Sequence, residues 1–533
     1  MSGPSVPLPC SDGVIQGADR DAPCTPQQRR WVLAAAVVGS SMAFIDGTVV
    51  NVALPALQQD FGATLVELQW VVESYALLLG ALILTGGAAG DRFGRRRVLA
   101  VGTLIFAAAS LWCGLAPDMT NLILARATQG VGAALLVPGS LAIVSAAFPA
   151  AERGRAIGTW SAFTALAMAF GPVMGGWLID NVSWRWIFLI NLPLGAAVLW
   201  MLVARVPESR DARVGRTDWP GTILAAVGLG GVVFGLIEAG RIGLAAPESW
   251  VSLLVGVTAL GAFVVTEAKV RSPVLPLGLF RSGDFAGANI LTLLLYAALG
   301  GMFFFFPFLL IQVHGYSATE SGAAFLPFIV IMIVLSRWSG GIVDRVGGRL
   351  PLIVGPLIAA IGFALFAVPE GGDYWRTFFP AMVVLGFGMA VSVAPLTTVV
   401  MGSVSQDRGG LASGVNNAAS RVAALLAVAV LGILLVGVFE SSLREVVGAT
   451  TLTPLVQMNI LEQVQQLAAI DLAIVDDGET RAALRDAVSA AMVDGFQAVA
   501  LAAAILAALS AFAALAMIRG RASKISSGRA DQS

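Results

Sequence analysis

Fourteen stretches of this chain are predominantly apolar over about 20 residues each, and this pattern limits the folds open to it. A run of that length can cross a bilayer as a helix, and in lipid only helices and closed barrels satisfy their backbone polar groups. The runs are too long for barrel strands, which take roughly 10 residues. The sequence therefore predicts an all-α polytopic membrane protein with fourteen transmembrane helices.

The composition supports this class of protein. Hydrophobic residues make up 57% of the chain and charged residues only 12%, which leaves no long polar stretch for a sizeable soluble domain. The 32 basic and 33 acidic side chains balance, so we expect no nucleic-acid partner. The fourteen runs fall near residues 31–56, 69–89, 98–116, 121–147, 156–179, 186–204, 218–238, 250–268, 285–312, 321–343, 350–368, 376–401, 410–438 and 492–518.

The distribution of Lys and Arg predicts the orientation of the chain. An even number of spans puts both termini on one side, and loops on the cytoplasmic side are enriched in basic residues. If the chain starts inside, the inner loops and tails hold 23 of the 32 basic residues and the outer loops hold six. We therefore expect a multi-pass protein of the cytoplasmic (inner) membrane with both termini cytoplasmic.

An internal repeat organises the chain. The pattern Gly-x-x-x-Asp-Arg-x-Gly-x-Arg occurs at residues 87–96 after run 2 and at residues 340–349 after run 10. Two fused six-helix halves would repeat after six helices, whereas here the offset is eight. Two helices are therefore inserted between the halves, and we interpret the runs 218–238 and 250–268 as this insertion, peripheral to any functional path through the two halves.

These observations divide the chain into five parts. They are a disordered cytoplasmic tail at 1–28, an N-terminal six-helix half at 29–205, a linker with the inserted helices at 206–284, a C-terminal six-helix half at 285–518 with an outer loop at 440–489, and a cytoplasmic tail at 519–533.

Several motifs occur in order along the chain. Asp46-x-Thr48-Val49-Val50-Asn51-Val52-Ala53-Leu54-Pro55 lies in run 1, Leu122-x-x-x-Arg126-x-x-Gln129-Gly130-x-Gly132 in run 4, Ala167-x-x-x-Gly171-Pro172-x-x-Gly175-Gly176 in run 5, and Ser183-Trp184-Arg185-Trp186 before run 6. With the loop motif at Asp91, they resemble the major facilitator superfamily, and within it the fourteen-helix drug:proton antiporters of EmrB/QacA type. Ala167 stands where the run 5 pattern usually starts with glycine.

Asp46 and Arg126 are the strongest candidates for a proton-coupling site. A charged carboxylate near the bilayer centre costs on the order of 2.5–3.5 kcal/mol, so Asp46 needs a proton, water or a partner. Counting a rise of ~1.5 Å per residue along runs 1 and 4 places Asp46 and Arg126 at a similar depth. We expect Arg126 to favour the ionised form of Asp46 while the two are close. A packing role for the pair is the alternative.

Glu73 is a third candidate for proton coupling. The predicted start of run 2 puts this residue only a few positions below the outer surface, in an outward vestibule. It could bind a cation or a proton there. A solvated glutamate at a helix end is the alternative, and the sequence does not separate the two.

The run 5 motif combines a helix breaker with small residues. Pro172 cannot donate to the carbonyl of Met168 and should bend the helix, while Gly171, Gly175 and Gly176 allow another helix to approach closely. The resemblance implies that this segment closes the cytoplasmic end and prevents leak. Small-residue packing without a gating role is the alternative.

The two loop motifs are candidates for a conformational latch. Asp91 ends run 2 among arginines, where a carboxylate can meet the N-terminus of a neighbouring helix. The resemblance implies that this latch joins the halves and breaks in each cycle. A turn that only orients the protein by its positive charge is the alternative. The latch residues are Gly87, Asp91, Arg92, Gly94 and Arg95, with Asp344 and Arg345 in the second copy.

A substrate cavity is expected between the halves at mid-membrane, as in other transporters built from repeats. Met42 lies one turn before Asp46 and Phe163 precedes Pro172 on the same run, and Asn51 and Gln129 are polar members of the run 1 and run 4 motifs. These four residues are candidates for the cavity wall.

The resulting prediction is a proton-coupled antiporter that exports lipophilic or amphipathic compounds by alternating access, with a small molecule, protons and the lipid bilayer as its partners. A metabolite or sugar symporter or uniporter on the same scaffold is the alternative. We expect a monomer that is not an enzyme and has no cofactor and no metal, since the chain contains no nucleotide-binding loop and its lone histidine, His314, falls outside the runs.

Overall fold

Fourteen helices account for the fourteen apolar runs. The computed structural model describes residues 24–210, 218–270, 273, 275–368, 373–404, 409–448, 452–475 and 477–519. Within these residues, thirteen helices are long and apolar enough to cross a membrane, and Arg349–Leu365 is a shorter apolar helix. Each of them lies on one of the predicted runs, so the all-α membrane fold predicted from the sequence is confirmed.

The helices are numbered here in chain order. They are α1 Pro26–Phe61, α2 Leu65–Phe93, α3 Arg95–Gly114, α4 Met119–Ala147, α5 Ala150–Asn181, α6 Trp186–Arg205, α7 Trp219–Ile242, α8 Pro247–Lys269, α9 Gly283–Val313, α10 Leu326–Val346, α11 Arg349–Leu365, α12 Tyr374–Gly402, α13 Gly409–Gly448 and α14 Gly478–Met517.

Two helices begin earlier than their apolar runs because a capping box fixes their first turn. The Thr64 side chain accepts from the backbone of Glu67, and the Glu67 side chain accepts from the backbone of Thr64, so α2 begins at Leu65. Thr25 and Gln28 form the same arrangement, and α1 begins at Pro26. Helix α1 therefore begins within the segment 1–28 that was predicted as a tail, and residues 1–23 and 520–533 lie outside the described part of the chain.

The predicted outer loop 440–489 is shorter than expected, because α13 continues to Gly448 and α14 begins at Gly478. Between them lie a short helix, Pro454–Glu462, and a 3-10 turn, Val464–Ala469. This turn is tied to two membrane helices. The Gln466 carbonyl accepts from Gln58 Nε2 of α1 at 3.1 Å, and Gln465 Nε2 donates to the Gly240 carbonyl of α7 at 3.1 Å.

The chain separates into two compact units that do not follow the sequence halves. The first combines Met1–Pro276, Gly300–Phe325 and Leu425–Val499, and the second combines Leu277–Leu299, Leu326–Ala424 and Ala500–Ser533. The domain limits drawn from the sequence stay a prediction.

Glycine packing holds helices together in the first unit. A Cβ at Gly132 of α4 would overlap Phe106 of α3, and one at Gly231 of α7 would overlap Gly256 of the neighbouring α8. The inserted helix α7 also contacts helices other than α8. Its Val233 and Ile237 form a buried cluster with residues of α2 and α13. The insertion is therefore built into the first unit through α7.

In the second unit, α11 and α12 approach each other in the same way. Cβ atoms at Gly362 and Gly388 would overlap Leu385 and Ala359 on the facing helix. The two copies of the loop motif also share a backbone turn: Gly94 has a φ of 111° and Gly347 a φ of 77°, values that favour glycine. This agreement supports the internal repeat.

Candidate functional site

Asp46 lies on α1 with no exposed surface, and its carboxylate is held by side chains from two other helices. Oδ2 accepts a hydrogen bond from Arg126 Nη1 of α4 at 2.5 Å. Oδ1 accepts from Gln129 Nε2, also on α4, at 2.7 Å and from Asn191 Nδ2 of α6 at 3.4 Å. A buried charge needs a partner and hydrogen bonds, and this carboxylate has both.

Arg126 holds a position between three helices. Its Nε donates to the Val71 carbonyl of α2 at 3.0 Å, and its Nη1 also donates to Gln129 Oε1 at 2.6 Å. The guanidinium lies over the ring of Tyr75, 4.3 Å from the centroid, and 5.7 Å from that of Phe188. Arg126 therefore keeps neutral partners besides Asp46, which matters if the acid is protonated.

The sequence pointed to Asp46 and Arg126, and the structure brings them together. Three further members of the network were not predicted as site residues: Asn191, Tyr75 and Ser110. Ser110 Oγ accepts from Gln129 Nε2 at 2.8 Å and from Asn191 Nδ2 at 3.3 Å. Asn191 is a polar residue near the start of an apolar run, and this pattern was the sequence signal that could have identified it as a site residue.

Glu73 does not lie where the sequence placed it. It is only 1% exposed, and among the described residues neither of its carboxylate oxygens has a hydrogen-bond partner. Because α2 begins at Leu65 rather than near residue 69, Glu73 lies more than two turns inside the helix. The expected outward vestibule and the solvated helix end are therefore both wrong.

The glycines of the α5 motif are points of close approach. Cβ atoms at Gly171 and Gly175 would overlap Thr48 and Val49 of α1, and one at Gly176 would overlap the Ala318 carbonyl at the start of the short helix Ala318–Ala323. These glycines lie in the second half of α5. The resemblance implied closure at the cytoplasmic end, but the motif lies in the half of the helix away from the loop of Asp91.

Pro172 is part of the same interface, since its carbonyl is the group that a Cβ at Gly322 would overlap. Asp180, near the end of α5, strengthens the contact. Its Oδ1 accepts from the Ala318 backbone N–H at 3.1 Å and its Oδ2 from that of Thr319 at 2.8 Å. An anion at a helix N-terminus is favourable. The sequence analysis did not identify Asp180.

The loop motif after α2 is organised around a different acid from the one expected. Asp91 Oδ1 accepts from Arg95 Nε at 2.8 Å. It is Glu208 that occupies the N-terminus of α3, where it accepts from the backbone N–H groups of Arg96 at 3.0 Å and Arg97 at 3.2 Å. We had expected Asp91 to meet a helix N-terminus, and Glu208 takes that position.

The remaining latch residues are placed as follows. A Cβ at Gly94 would overlap the Glu208 carboxylate, so this glycine makes room for the acid. The guanidinium of Arg92 lies 5.3 Å from the centroid of the Phe93 ring. A Cβ at Gly87 would lie at 3.5 Å from Pro138 Cβ, an ordinary contact. The side chains of Asp344 and Arg345 lie outside the described part of the structure.

Two of the four cavity candidates serve other purposes. Met42 has no exposed surface and belongs to the hydrophobic core of the first unit, and Gln129 is a hydrogen-bond partner of Asp46. Neither side chain is exposed in this structure, and their assignment to a cavity wall stays a prediction. Asn51 is partly buried and Phe163 is 53% exposed. These two stay candidates.

Comparison with known proteins points to one family. The sequence model of the family described as "Major Facilitator Superfamily" matches residues 36–428 of this chain. The multidrug resistance protein Stp of Mycobacterium tuberculosis is 35% identical over 81% of this chain and 80% of its own length. The tetracenomycin C resistance and export protein of Streptomyces glaucescens is 34% identical over 76% of each chain.

A solved structure shows the same fold. The bacterial homologue of the human lysosomal transporter Spinster, in an inward-facing and unoccupied conformation, aligns with a TM-score of 0.65 over 93% of this chain and 98% of its own, at 17% identity. The fold and the family are those of transporters rather than enzymes. Together with the apolar helices, they describe an integral membrane protein.

Proposed function

Because the chain belongs to the major facilitator superfamily, we propose that it exports lipophilic or amphipathic compounds from the cell in exchange for protons that move inward. The observation that supports coupling to protons is the Asp46 carboxylate, which is buried within a membrane-spanning helix and paired with Arg126. Ionisable groups at such positions mark proton and substrate pathways in transporters.

The names of the relatives support export of foreign or toxic compounds. One is named a multidrug resistance protein and the other a resistance and export protein. Transport against a gradient needs a source of energy. An inward-moving proton supplies ~2.3 kcal/mol per 100 mV of membrane potential, so one or two protons per cycle are sufficient for a useful gradient.

The network around Asp46 suggests how protonation is coupled to movement. A proton on Asp46 removes the charge that Arg126 neutralises, while Arg126 keeps the Val71 carbonyl and the Tyr75 ring. Neutralising the acid therefore does not leave a bare cation in the protein interior. Since these other partners lie on α2, protonation loosens α1 from its neighbours rather than displacing Arg126.

Helix α1 also carries the residues that face the glycines of α5. Thr48 and Val49 follow Asp46 by two and three residues and lie against Gly171 and Gly175. A movement of α1 that follows protonation therefore changes the packing of α5. In this mechanism α1 transmits the protonation state of Asp46 to the interface between α5 and the helix Ala318–Ala323.

The proposal includes the position in the cell. The protein lies in the cytoplasmic membrane as a monomer, with both termini inside, as the distribution of basic residues indicates. Its partners are protons, the transported compound and the surrounding lipid.

Proteoliposomes with an imposed pH gradient test the function. Ethidium is the probe, as a lipophilic cation whose fluorescence reports its movement. We expect the wild type to move ethidium against the direction of the protons, and Asp46→Asn to bind ethidium but to lose pH-driven transport. Asp60→Asn is the matched control, since Asp60 lies near the end of the same helix in a half-exposed pair with Arg185.

Two results would reject the proposal. Full pH-driven transport by Asp46→Asn would show that this residue is not the coupling acid. Movement of the compound in the same direction as the protons would replace antiport with symport, the mode of the metabolite and sugar transporters considered above.

A further inference from the structure

Glu73 is a buried acid that the coupling network around Asp46 does not use. It lies on α2 and is 1% exposed. In the described structure, neither carboxylate oxygen accepts or donates a hydrogen bond. Asp46, in contrast, accepts hydrogen bonds from three side chains. The two acids are therefore similarly buried, but Asp46 has hydrogen-bond donors around its carboxylate and, among the described residues, Glu73 has none.

Neighbouring residues on α2 show which helices cover Glu73. Trp70 and Leu77 lie three residues before it and four after it, so the three share one face of the helix. Trp70 and Leu77 pack on a buried cluster that includes Val233 of α7 and Leu425 of α13. Glu73 is therefore on the face of α2 that meets the inserted helix α7 and the middle of α13.

Polar and aromatic contacts flank this position without reaching the carboxylate. One turn before Glu73, Gln69 Nε2 donates to the Val428 carbonyl of α13 at 3.0 Å. The Trp70 ring lies 5.8 Å from that of Phe234 on α7. The neighbours of Glu73 described on this face of α2 are thus apolar side chains and a side-chain amide that is already bound.

The charged groups on the packed helices have partners of their own. On α7, Glu238 pairs with Arg241 at 2.6 Å, and on α4 Arg126 pairs with Asp46. On α13, Arg444 pairs with Glu440. Arg421, one turn before Leu425, does not bind Glu73, since neither carboxylate oxygen of Glu73 has a hydrogen-bond partner in the described part of the chain. On α2 itself, Glu67 is bound to Thr64 in the capping box. Among the residues that the structure describes, Glu73 therefore has no ion pair with an arginine or a lysine.

Burial of an ionised carboxylate without a partner costs far more free energy than burial of the neutral acid, so the proton is retained. We propose that Glu73 is a neutral carboxylic acid in this structure and a second proton-exchange site of the transporter, and that α7 must move away from α2 before the proton can leave. The exchange role depends on the proposed antiport, but the neutral state does not.

This assignment gives the inserted helices a part in the transport cycle. The sequence suggested that they are peripheral, yet α7 covers the face of α2 that carries the acid. A second contact joins these two helices farther along, where the hydroxyl oxygens of Thr85 and Thr222 lie 2.7 Å apart in a buried hydrogen bond. This contact offers a place to lock α7 to α2.

Carbodiimide labelling tests the neutral state, because the reagent activates protonated carboxyl groups in apolar surroundings. The purified full-length protein in lipid nanodiscs is treated at neutral pH, and the modified residues are identified by mass spectrometry. We expect Glu73 to be labelled and Asp46, which is paired with Arg126, to be protected. Absence of label on Glu73 while the reagent labels an added peptide with a protonated acid would overturn the neutral state.

Cross-linking tests the movement of α7. Thr85→Cys and Thr222→Cys are combined in a background without Cys10, Cys24 and Cys113, whose transport is measured first. Oxidation should stop ethidium transport and slow carbodiimide labelling of Glu73 several-fold, and a reducing agent should restore both. Each single variant under the same oxidant is the control. Unchanged transport by the fully cross-linked protein would overturn the role of α7.

Proton counting separates this inference from the proposed function. With wild type and Glu73→Gln in proteoliposomes, the protons that enter per ethidium exported should differ by one, with the smaller number in the variant. Equal numbers would overturn the exchange role of Glu73. A wild type that moves no protons would reject the antiport itself, while the labelling result would still decide the neutral state.

Discussion

Asp46 and Arg126 are 80 residues apart in the chain, yet their side chains meet at 2.5 Å and neither is more than 1% exposed. A buried ion pair of this kind is sensitive to the loss of one partner, because the other charge is left without compensation. Loss of both charges is tolerated better. This asymmetry separates a buried pair from the ion pairs at the protein surface.

Arg126→Met is expected to lower the free energy of unfolding by about 3–5 kcal/mol, because it leaves the buried Asp46 unpaired. The double variant Asp46→Asn/Arg126→Met should recover part of this loss. Unfolding of the purified protein in detergent measures both. Arg185→Met is the control, since its pair with Asp60 is half exposed and should cost under about 1 kcal/mol. A double variant as unstable as the sum of the two single changes would contradict the prediction.

Gly176→Ala should destabilise the contact between α5 and the helix Ala318–Ala323, because the new Cβ overlaps the Ala318 carbonyl and backbone must move. We expect a loss of about 1–3 kcal/mol and slower ethidium efflux. Gly158→Ala on the same helix is the matched control, since its Cβ meets nothing within 4 Å. There alanine should be neutral or slightly stabilising. Equal effects of the two substitutions would argue against a special role for Gly176.

Asp180→Asn should open the same contact more often, because the amide loses the charge that favours the N-terminus of Ala318–Ala323. A loss of about 1 kcal/mol corresponds to roughly a fivefold change in an equilibrium. The reporter is Ser321→Cys, a buried position on this helix, and the measurement is its labelling rate with a membrane-impermeant maleimide. Asp118→Asn changes an aspartate that caps its own helix, and it should leave the rate unchanged. Equal rates in wild type and Asp180→Asn would refute the prediction.

Glu208→Gln should loosen the first turn of α3, because the carboxylate binds the Arg96 and Arg97 N–H groups. Charge-assisted hydrogen bonds at a helix N-terminus are worth about 1–2 kcal/mol. Hydrogen exchange followed by mass spectrometry should show faster exchange at these two amides. Glu152→Gln, which changes an exposed carboxylate paired with Arg29, should leave their exchange unchanged. Unaltered protection in the Glu208 variant would mean that the carboxylate does not hold this turn.

The sequence was sufficient to predict the helices, because the length and the apolar character of each run are local properties. It also predicted that Asp46 and Arg126 lie at a similar depth in the membrane, because depth follows from counting residues along a helix. It did not reveal Asn191 or Asp180 as partners, because a contact between distant residues also depends on the rotation of each helix about its axis. That rotation is set by packing, for example by the glycines of α5 against Val49.

The position of Glu73 could have been predicted better. Thr64 and Glu67 have the spacing of a capping box, a signal for a helix start at Leu65. The hydropathy of the run alone suggested a start four residues later and placed the acid near the surface. Its lack of a partner could not be predicted, since it depends on how α7 and α13 cover α2.

The 3-10 turn Val464–Ala469 joins neighbouring glutamines to two different helices, one to Gln58 on α1 and the other to Gly240 on α7. Separation of those two helices must break one of these hydrogen bonds or pull the turn out of shape. A protease site engineered into this turn would therefore be cut at a rate that depends on the transport state. Such cleavage would give a readout of the cycle that needs neither a dye nor knowledge of the natural cargo.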